Sequence, residues 1–140
     1  MPVNQATLLG EILVELGHVH PEQVTEGLEL QRVRTKWARI GEILMDLGYV
    51  EEDHVLEALS EQFNIPFERD IKSSIDTSLT TKVPINFIRE YEMVPIRQNG
   101  AGFYVALHDP VNLLPLDDLR LLLGGPIEPV LCRKEEIQAV

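Results

Sequence analysis

Residues 8–31 read LLGEILVELGHVHPEQVTEGLELQ and residues 39–62 read RIGEILMDLGYVEEDHVLEALSEQ, an ungapped duplication at a constant offset of 31. Eleven of the 24 aligned positions are identical: Gly10/Gly41, Glu11/Glu42, Ile12/Ile43, Leu13/Leu44, Leu16/Leu47, Gly17/Gly48, Val19/Val50, Val24/Val55, Glu26/Glu57, Leu28/Leu59 and Gln31/Gln62. Self-similarity at a fixed period marks a copied supersecondary unit. Within the first copy, Leu9, Ile12, Leu13 and Leu16 recur at helical spacing and form one apolar stripe. Gly17 falls where a helix closes in a left-handed residue, and His20-Pro21 opens the next helix, whose first turn tolerates proline. The second copy repeats the pattern with Gly48 as the stop, and Glu51-Glu52-Asp53 set negative charge at the positive end of the following helix. Each copy therefore predicts a helical hairpin, and the two together a four-helix unit over residues 1–63. Gly27 and Ala58 share one repeat position, where a small side chain lets helices approach closely.

Gly10 and Gly41 ask for a reason of their own. Each stands near the start of an amphipathic helix, where glycine is about 0.5–1 kcal/mol less favourable than alanine. Its recurrence implies that something approaches the backbone there, either another helix or a ligand. Gln31 and Gln62 close the two copies, and packing does not demand them.

The pattern changes after residue 63. Asn64-Ile65-Pro66-Phe67 breaks the last helix and begins an extended segment. Short helices are expected over 76–82 and 84–91, strands over 93–97 and 103–107 around a turn at 98–102, a helix over 113–123 stopped by Gly124-Gly125, and a third strand over 127–132. Pro95 belongs at an edge or a bulge. The strand–helix–strand order over 103–132 implies a right-handed parallel crossover. The fold class is α+β, a four-helix unit followed by a small three-stranded α/β unit over 64–140. A last helix starts at Lys134-Glu135-Glu136 and stops without a cap, as expected of a chain that continues beyond Val140.

Composition bounds the function. A hydrophobic fraction of 44% is that of a globular protein, and no run approaches the roughly 18 apolar residues that span a bilayer. The amino terminus, MPVNQATLLGEIL, has no basic region ahead of an apolar one, and the single cysteine, Cys132, allows no intramolecular disulfide. A cytoplasmic protein without direct membrane insertion is expected. The net charge of −11 opposes binding of nucleic-acid polymers or anionic lipid. Residues 1–62 nevertheless gather their four basic side chains, Arg32, Arg34, Lys36 and Arg39, within eight residues beside Trp37. That island is either a solvated linker or an attraction for a compact anion or acidic partner. No GxxxxGK[ST] loop is present to cradle nucleotide phosphates. His18 and His20 lack further ligands at metal-site spacing, and Asp117-Asp118 sit at a helix start, where carboxylates are electrostatically favoured. With Cys132 expected in a buried strand, no catalytic or metal-binding constellation emerges, and the chain is not expected to be an enzyme in itself.

The duplicated pattern LGxxLxxxGxxxxxxVxxxLxxQ, the Ile65-Pro66-Phe67 junction, the stretch Val105-Ala106-Leu107-His108-Asp109-Pro110, the helix Leu116-Asp117-Asp118-Leu119-Arg120 and the segment Ile127-Glu128-Pro129-Val130-Leu131 occur in order. Together they resemble the amino-terminal domain of the type II secretion and type IV pilus assembly ATPases, the GspE/PilB family, across essentially the whole chain. The resemblance implies a non-catalytic domain that docks a cytoplasmic ATPase motor on the cytoplasmic region of an inner-membrane platform protein, GspL-like in type II secretion. It also implies peripheral localisation through that partner, a carboxy-terminal ATPase domain in the same chain, and a Walker A motif beyond Val140. The family includes MshEN-type receptors of cyclic di-GMP, in which paired motifs each hold half of the dinucleotide. Carried over by position, the ligand-binding residues implied are Leu9, Gly10, Leu13, Gly17 and Gln31 in the first copy and Arg39, Ile40, Gly41, Leu44, Gly48 and Gln62 in the second. The motif's leading arginine is Arg39 in the second copy but Leu8 in the first, and Arg32 to Ala38 form a seven-residue spacer between the copies.

Overall fold

A computed structural model describes residues 5–33, 38–110 and 113–139, and the chain divides into two compact units, Met1–Asn64 and Ile65–Val140. The first holds four helices: α1 (Gln5–Glu15), α2 (Pro21–Val33), α3 (Ile40–Asp46) and α4 (Glu52–Phe63). The hairpin turns are copies of each other. Gly17 and Gly48 adopt φ of 81° and 79°, a left-handed backbone that glycine enters without strain. The next amides, His18 N–H and Tyr49 N–H, donate back to the carbonyls of Leu13 and Leu44, each at 3.0 Å. α1 packs against α2, α3 and α4, and α2 packs against α3. Exchanging the two copies therefore maps the α1–α4 contact onto the α3–α2 contact.

The core of this unit is built from repeat-equivalent pairs. Leu9 and Ile40, Leu13 and Leu44, and Val19 and Val50 are all buried, joined by Val24 and Ala58. A side chain of this kind taken fully out of water contributes about 1.5–3 kcal/mol, so the duplicated stripe is a large favourable contribution in a unit this small. Gly27 lies over Ile40 and Leu44, and a Cβ on it would fall 2.9 Å from Ile40 Cδ1.

The second unit carries a sheet of order β1-β2-β3, with β1 at Met93–Asn99, β2 at Gly102–Leu107 and β3 at Ile127–Leu131. β1 and β2 pair antiparallel; β2 and β3 pair parallel, as the crossover rule requires. The register shifts between Pro95 and Arg97, so the proline sits at a bulge. Helices α5 (Thr77–Thr80) and α6 (Ile85–Tyr91) pack on β1, α7 (Pro115–Leu123) packs on β3, and α8 (Lys134–Gln138) packs on β2. A 3₁₀ turn at Lys72–Ser74, unmarked by any apolar period, precedes α5. Residues 66–68 extend the sheet beyond β3: Leu131 N–H donates to Pro66 O at 2.7 Å and Glu68 N–H to Leu131 O at 2.9 Å. Cys132 follows β3 and is fully buried.

Arg97 ties the polar edge of this unit together. Its guanidinium pairs with Glu68, donates to Ser74 Oγ at 3.3 Å and lies 4.6 Å from the Tyr104 ring centroid. The hydrogen bond to Glu68 holds its pKa above the ordinary arginine value.

Candidate functional site

The duplicated helices bring the candidate residues into three distinct environments. Leu9, Leu13, Ile40 and Leu44 are core, with exposures of 6%, 0%, 2% and 0%. Gly17 and Gly48 are exposed caps with open space around the Cβ position. Gly10 and Gly41 are buried against the second helix of their own hairpin: a Cβ on Gly10 would meet Val24 Cγ1 at 2.5 Å, and one on Gly41 would meet Val55 Cγ1 at 2.8 Å. Val24 and Val55 are themselves equivalent, so the glycine–valine contact is one packing device used twice. Helix packing is a sufficient reason for both glycines.

Three candidates are polar and only half-buried: Gln31, Arg39 and Gln62. Gln31 ends the repeat on α2 and donates from Nε2 to the carbonyl of Ala38 at 3.0 Å. That bond holds the backbone immediately before Arg39, which is the N-cap of α3 with extended φ and ψ of −72° and 151°. The repeat's closing glutamine thus positions the second copy's leading arginine. Leu8, the residue equivalent to Arg39, is half-buried. Arg32 is exposed in the last turn of α2, while Arg34, Lys36 and Trp37 lie outside the described residues.

One open concavity in this unit is lined by Gly10, Glu11, Val14, Glu15, Pro21 and Val24. Its two carboxylates make it unsuited to a phosphodiester. Among the described residues, no group of three or more His, Cys, Asp or Glu side chains is arranged to hold a metal ion. No helix of the described chain is long and apolar enough to cross a membrane.

The structure also shows a polar pair that repeat reading alone did not give. His18 Nε2 lies 3.1 Å from Glu57 Oε2, and Tyr49 Oη donates to Glu26 Oε2. His18 and Tyr49 are repeat equivalents, as are Glu26 and Glu57. Each turn residue therefore reaches the identical glutamate of the other copy, a reciprocal cross-link. The hydrogen bond to Glu26 raises the Tyr49 pKa, with desolvation and the carboxylate's charge acting in the same direction. The signal available in the sequence is the identical Glu26/Glu57 pair; its partners, His18 and Tyr49, differ in residue type, so the repeat does not mark them.

The helix starts are matched as well. His20 N–H donates to Gln23 Oε1 at 2.8 Å, and Glu51 N–H donates to His54 Nδ1 at 3.1 Å. Gln23 and His54 occupy the same repeat position.

A unit of two exchange-related hairpins followed by a three-stranded mixed sheet defines a class, and comparison with known proteins places the chain within it. Residues 63–140 match the model of the MshEN domain family. The chain belongs to that family, and it is homologous to the amino-terminal regions of GspE/PilB-type ATPases. It is 29% identical over 130 residues to the type IV pilus assembly ATPase PilB of Myxococcus xanthus (strain DK1622), covering 93% of this chain but only 23% of that protein. The solved structure of MshE with cdg superimposes with a TM-score of 0.79 at 26% identity, covering 94% of both chains. The amino-terminal domain of XpsE gives a TM-score of 0.68 at 19% identity, covering 99% of this chain and 95% of that one, which speaks to fold alone. The family match falls on the sheet-containing unit; the likeness to PilB and MshE extends over the duplicated helices.

Proposed function

We propose that the chain is the non-catalytic amino-terminal regulatory domain of a secretion or pilus-assembly ATPase, and that its duplicated helical unit responds to cyclic di-GMP. The observation that carries this reading is the near-complete coverage by MshE, solved with cyclic di-GMP, together with Arg39 held at the start of α3 by the Gln31–Ala38 bond. The second copy supplies the cation, Arg39, which can stack on or fork to a guanine, and Gln62 and Gln31 supply neutral polar groups. Glycines 10, 17, 41 and 48 and the aliphatics Leu9, Leu13, Ile40 and Leu44 act by shaping and stiffening the helices that present those groups. With Leu8 in the arginine position of the first copy, the two half-sites are unequal, and the second dominates.

Calorimetric titration of the 140-residue protein with cyclic di-GMP tests this. The expected result is saturable binding that weakens by roughly tenfold to a hundredfold in Arg39→Ala, the size of a lost charge-assisted contact. Absence of heat at ligand excess would remove the ligand from the reading.

Coupling of the motor to a GspL-like inner-membrane platform protein is the other part of the proposal. The strongly acidic helical unit and the family membership support a docking role, and the two roles are compatible, since a ligand on α3 can adjust a docking surface. Peripheral attachment to the inner membrane would follow from that partner, and a carboxy-terminal ATPase domain from the likeness to PilB.

A further inference from the structure

We infer that His54 is a proton-operated cap on α4, a conformational device present in the second copy of the repeat and absent from the first. Its Nδ1 accepts the Glu51 N–H at 3.1 Å, while the Glu51 side chain accepts the backbone N–H of His54, closing a capping box around the first turn. An imidazole nitrogen accepts a hydrogen bond only while it carries no proton; the imidazolium has two donors and no acceptor. In the capped state, therefore, His54 is neutral and its proton is on Nε2. Protonation converts Nδ1 into a donor and severs the bond to Glu51 N–H.

The surroundings decide where the charged ring goes. The His18 ring stacks on it, with centroids 4.1 Å apart and planes at 20°. Glu51, Glu52 and Asp53 lie at the start of its own helix, and Glu57 one turn on is engaged by His18. The helix packed against α4, α1, carries Glu11 and Glu15. An imidazolium is thus offered carboxylates to donate to, while the amides of the helix's positive end repel it. It leaves the amide and turns to a carboxylate, and the box at the first turn of α4 keeps only its Glu51 half.

The first copy supplies the internal control. Gln23 stands at the same repeat position and caps His20 N–H through an amide oxygen that does not titrate. Acid therefore loosens α4 and spares α2. Any link to ligand binding runs through Gln62 at the far end of α4 and rests on the preceding reading, whereas the cap itself does not.

Nuclear magnetic resonance of the 140-residue protein, titrated across about pH 5–8 where histidine changes charge, tests the inference. At the upper end, the ¹⁵N spectrum of His54 should show bare Nδ1 and protonated Nε2. As the pH falls, the Glu51 amide proton should shift with the same midpoint as the His54 ring. In His54→Gln, which installs the residue the first copy already uses, the Glu51 amide should hold its position across the range with helical content unchanged. In His18→Gln the response should persist. A proton on Nδ1 in the neutral form, or a Glu51 amide that stays still while His54 titrates, would overturn the inference. So would a response that survives in His54→Gln, or one abolished by His18→Gln.

Discussion

Gly10→Ala tests the packing account of the repeat at its sharpest point. Alanine is intrinsically about 0.5–1 kcal/mol better than glycine inside a helix, so propensity alone predicts stabilisation. The structure predicts the opposite, because the new Cβ would lie 2.5 Å from Val24 Cγ1, a separation that real Cβ atoms do not tolerate. Val24 is a stiff β-branched side chain packed in the helical core, so either its rotamer or the α1–α2 spacing must give. Overpacking of this kind costs about 1–3 kcal/mol against a propensity gain of about 0.5–1 kcal/mol, a net loss of up to about 2.5 kcal/mol. A double-mutant cycle isolates the cause. Val24→Ala alone opens a void and destabilises, but in Gly10→Ala/Val24→Ala the new methyl occupies part of the vacated space. The double variant should therefore be more stable than the sum of the singles by about 1 kcal/mol or more. Urea unfolding followed by helical circular dichroism measures each corner. Gly17→Ala is the contrast: no atom stands near its Cβ position, but φ of 81° is strained for alanine, so it destabilises without any coupling to Val24. A stabilising Gly10→Ala, or additive behaviour with Val24→Ala, would refute the reasoning.

Other outcomes follow from the same geometry. Gly41→Ala, with its Cβ 2.8 Å from Val55 Cγ1, should behave like Gly10→Ala and couple to Val55→Ala in the same assay. Glu26→Gln should lower the Tyr49 titration toward the ordinary tyrosine value in an ultraviolet pH titration. Since folding raises this pKa, the stabilisation from the neutral phenol is complete below the unfolded value near 10 and is lost as the pH rises through the folded one. Asp76 presents the reverse case: its carboxylate accepts from Ser78 Oγ at 2.6 Å and Ser78 N–H at 3.0 Å, and these bonds lower its pKa below the usual 3.8. Its stabilisation is present above 3.8 and lost as the pH falls through the depressed value, so Asp76→Ala should show a flatter acid-unfolding profile than the parent. Arg97→Met should destabilise the sheet-containing unit by about 1–2 kcal/mol, reported by amide exchange in β1, through loss of the Glu68 and Ser74 bonds.

The elements written in local chemistry were legible in the sequence. Apolar spacing and the Gly17 and Gly48 stops gave the hairpins, and Pro95 announced the β1 bulge. The crossover rule gave the parallel pairing of β2 and β3. What remained hidden depends on contacts distant in sequence or on single backbone residues. Asn64 and Glu92 close α4 and α6 in the left-handed conformation with φ of 56° and 52°; asparagine is a residue type that favours it, but nothing in a glutamate marks such a stop. The strand-like pairing of 66–68 with β3 needs the partner strand to exist before it can be seen. In the candidate site, a motif transferred by position cannot tell a residue that touches a ligand from one that packs beneath it. Leu13 and Leu44 at 0% exposure pack in the core, whereas Gln31 and Arg39 are half-buried polar side chains, Gln31 engaged with the Ala38 carbonyl.

The central claim is that the duplicated unit carries an unequal, two-part site centred on Arg39. Titrating ¹⁵N-labelled protein with cyclic di-GMP and following the amide spectrum tests it most directly. Expected are saturable shifts at Arg39, Ile40 and Gly41, with smaller ones at Leu8, Leu9 and Gly10, and in Arg39→Ala a displacement of both sets to roughly tenfold to a hundredfold higher ligand concentration. Unchanged spectra at ligand excess, or shifts confined to residues 65–140, would contradict it.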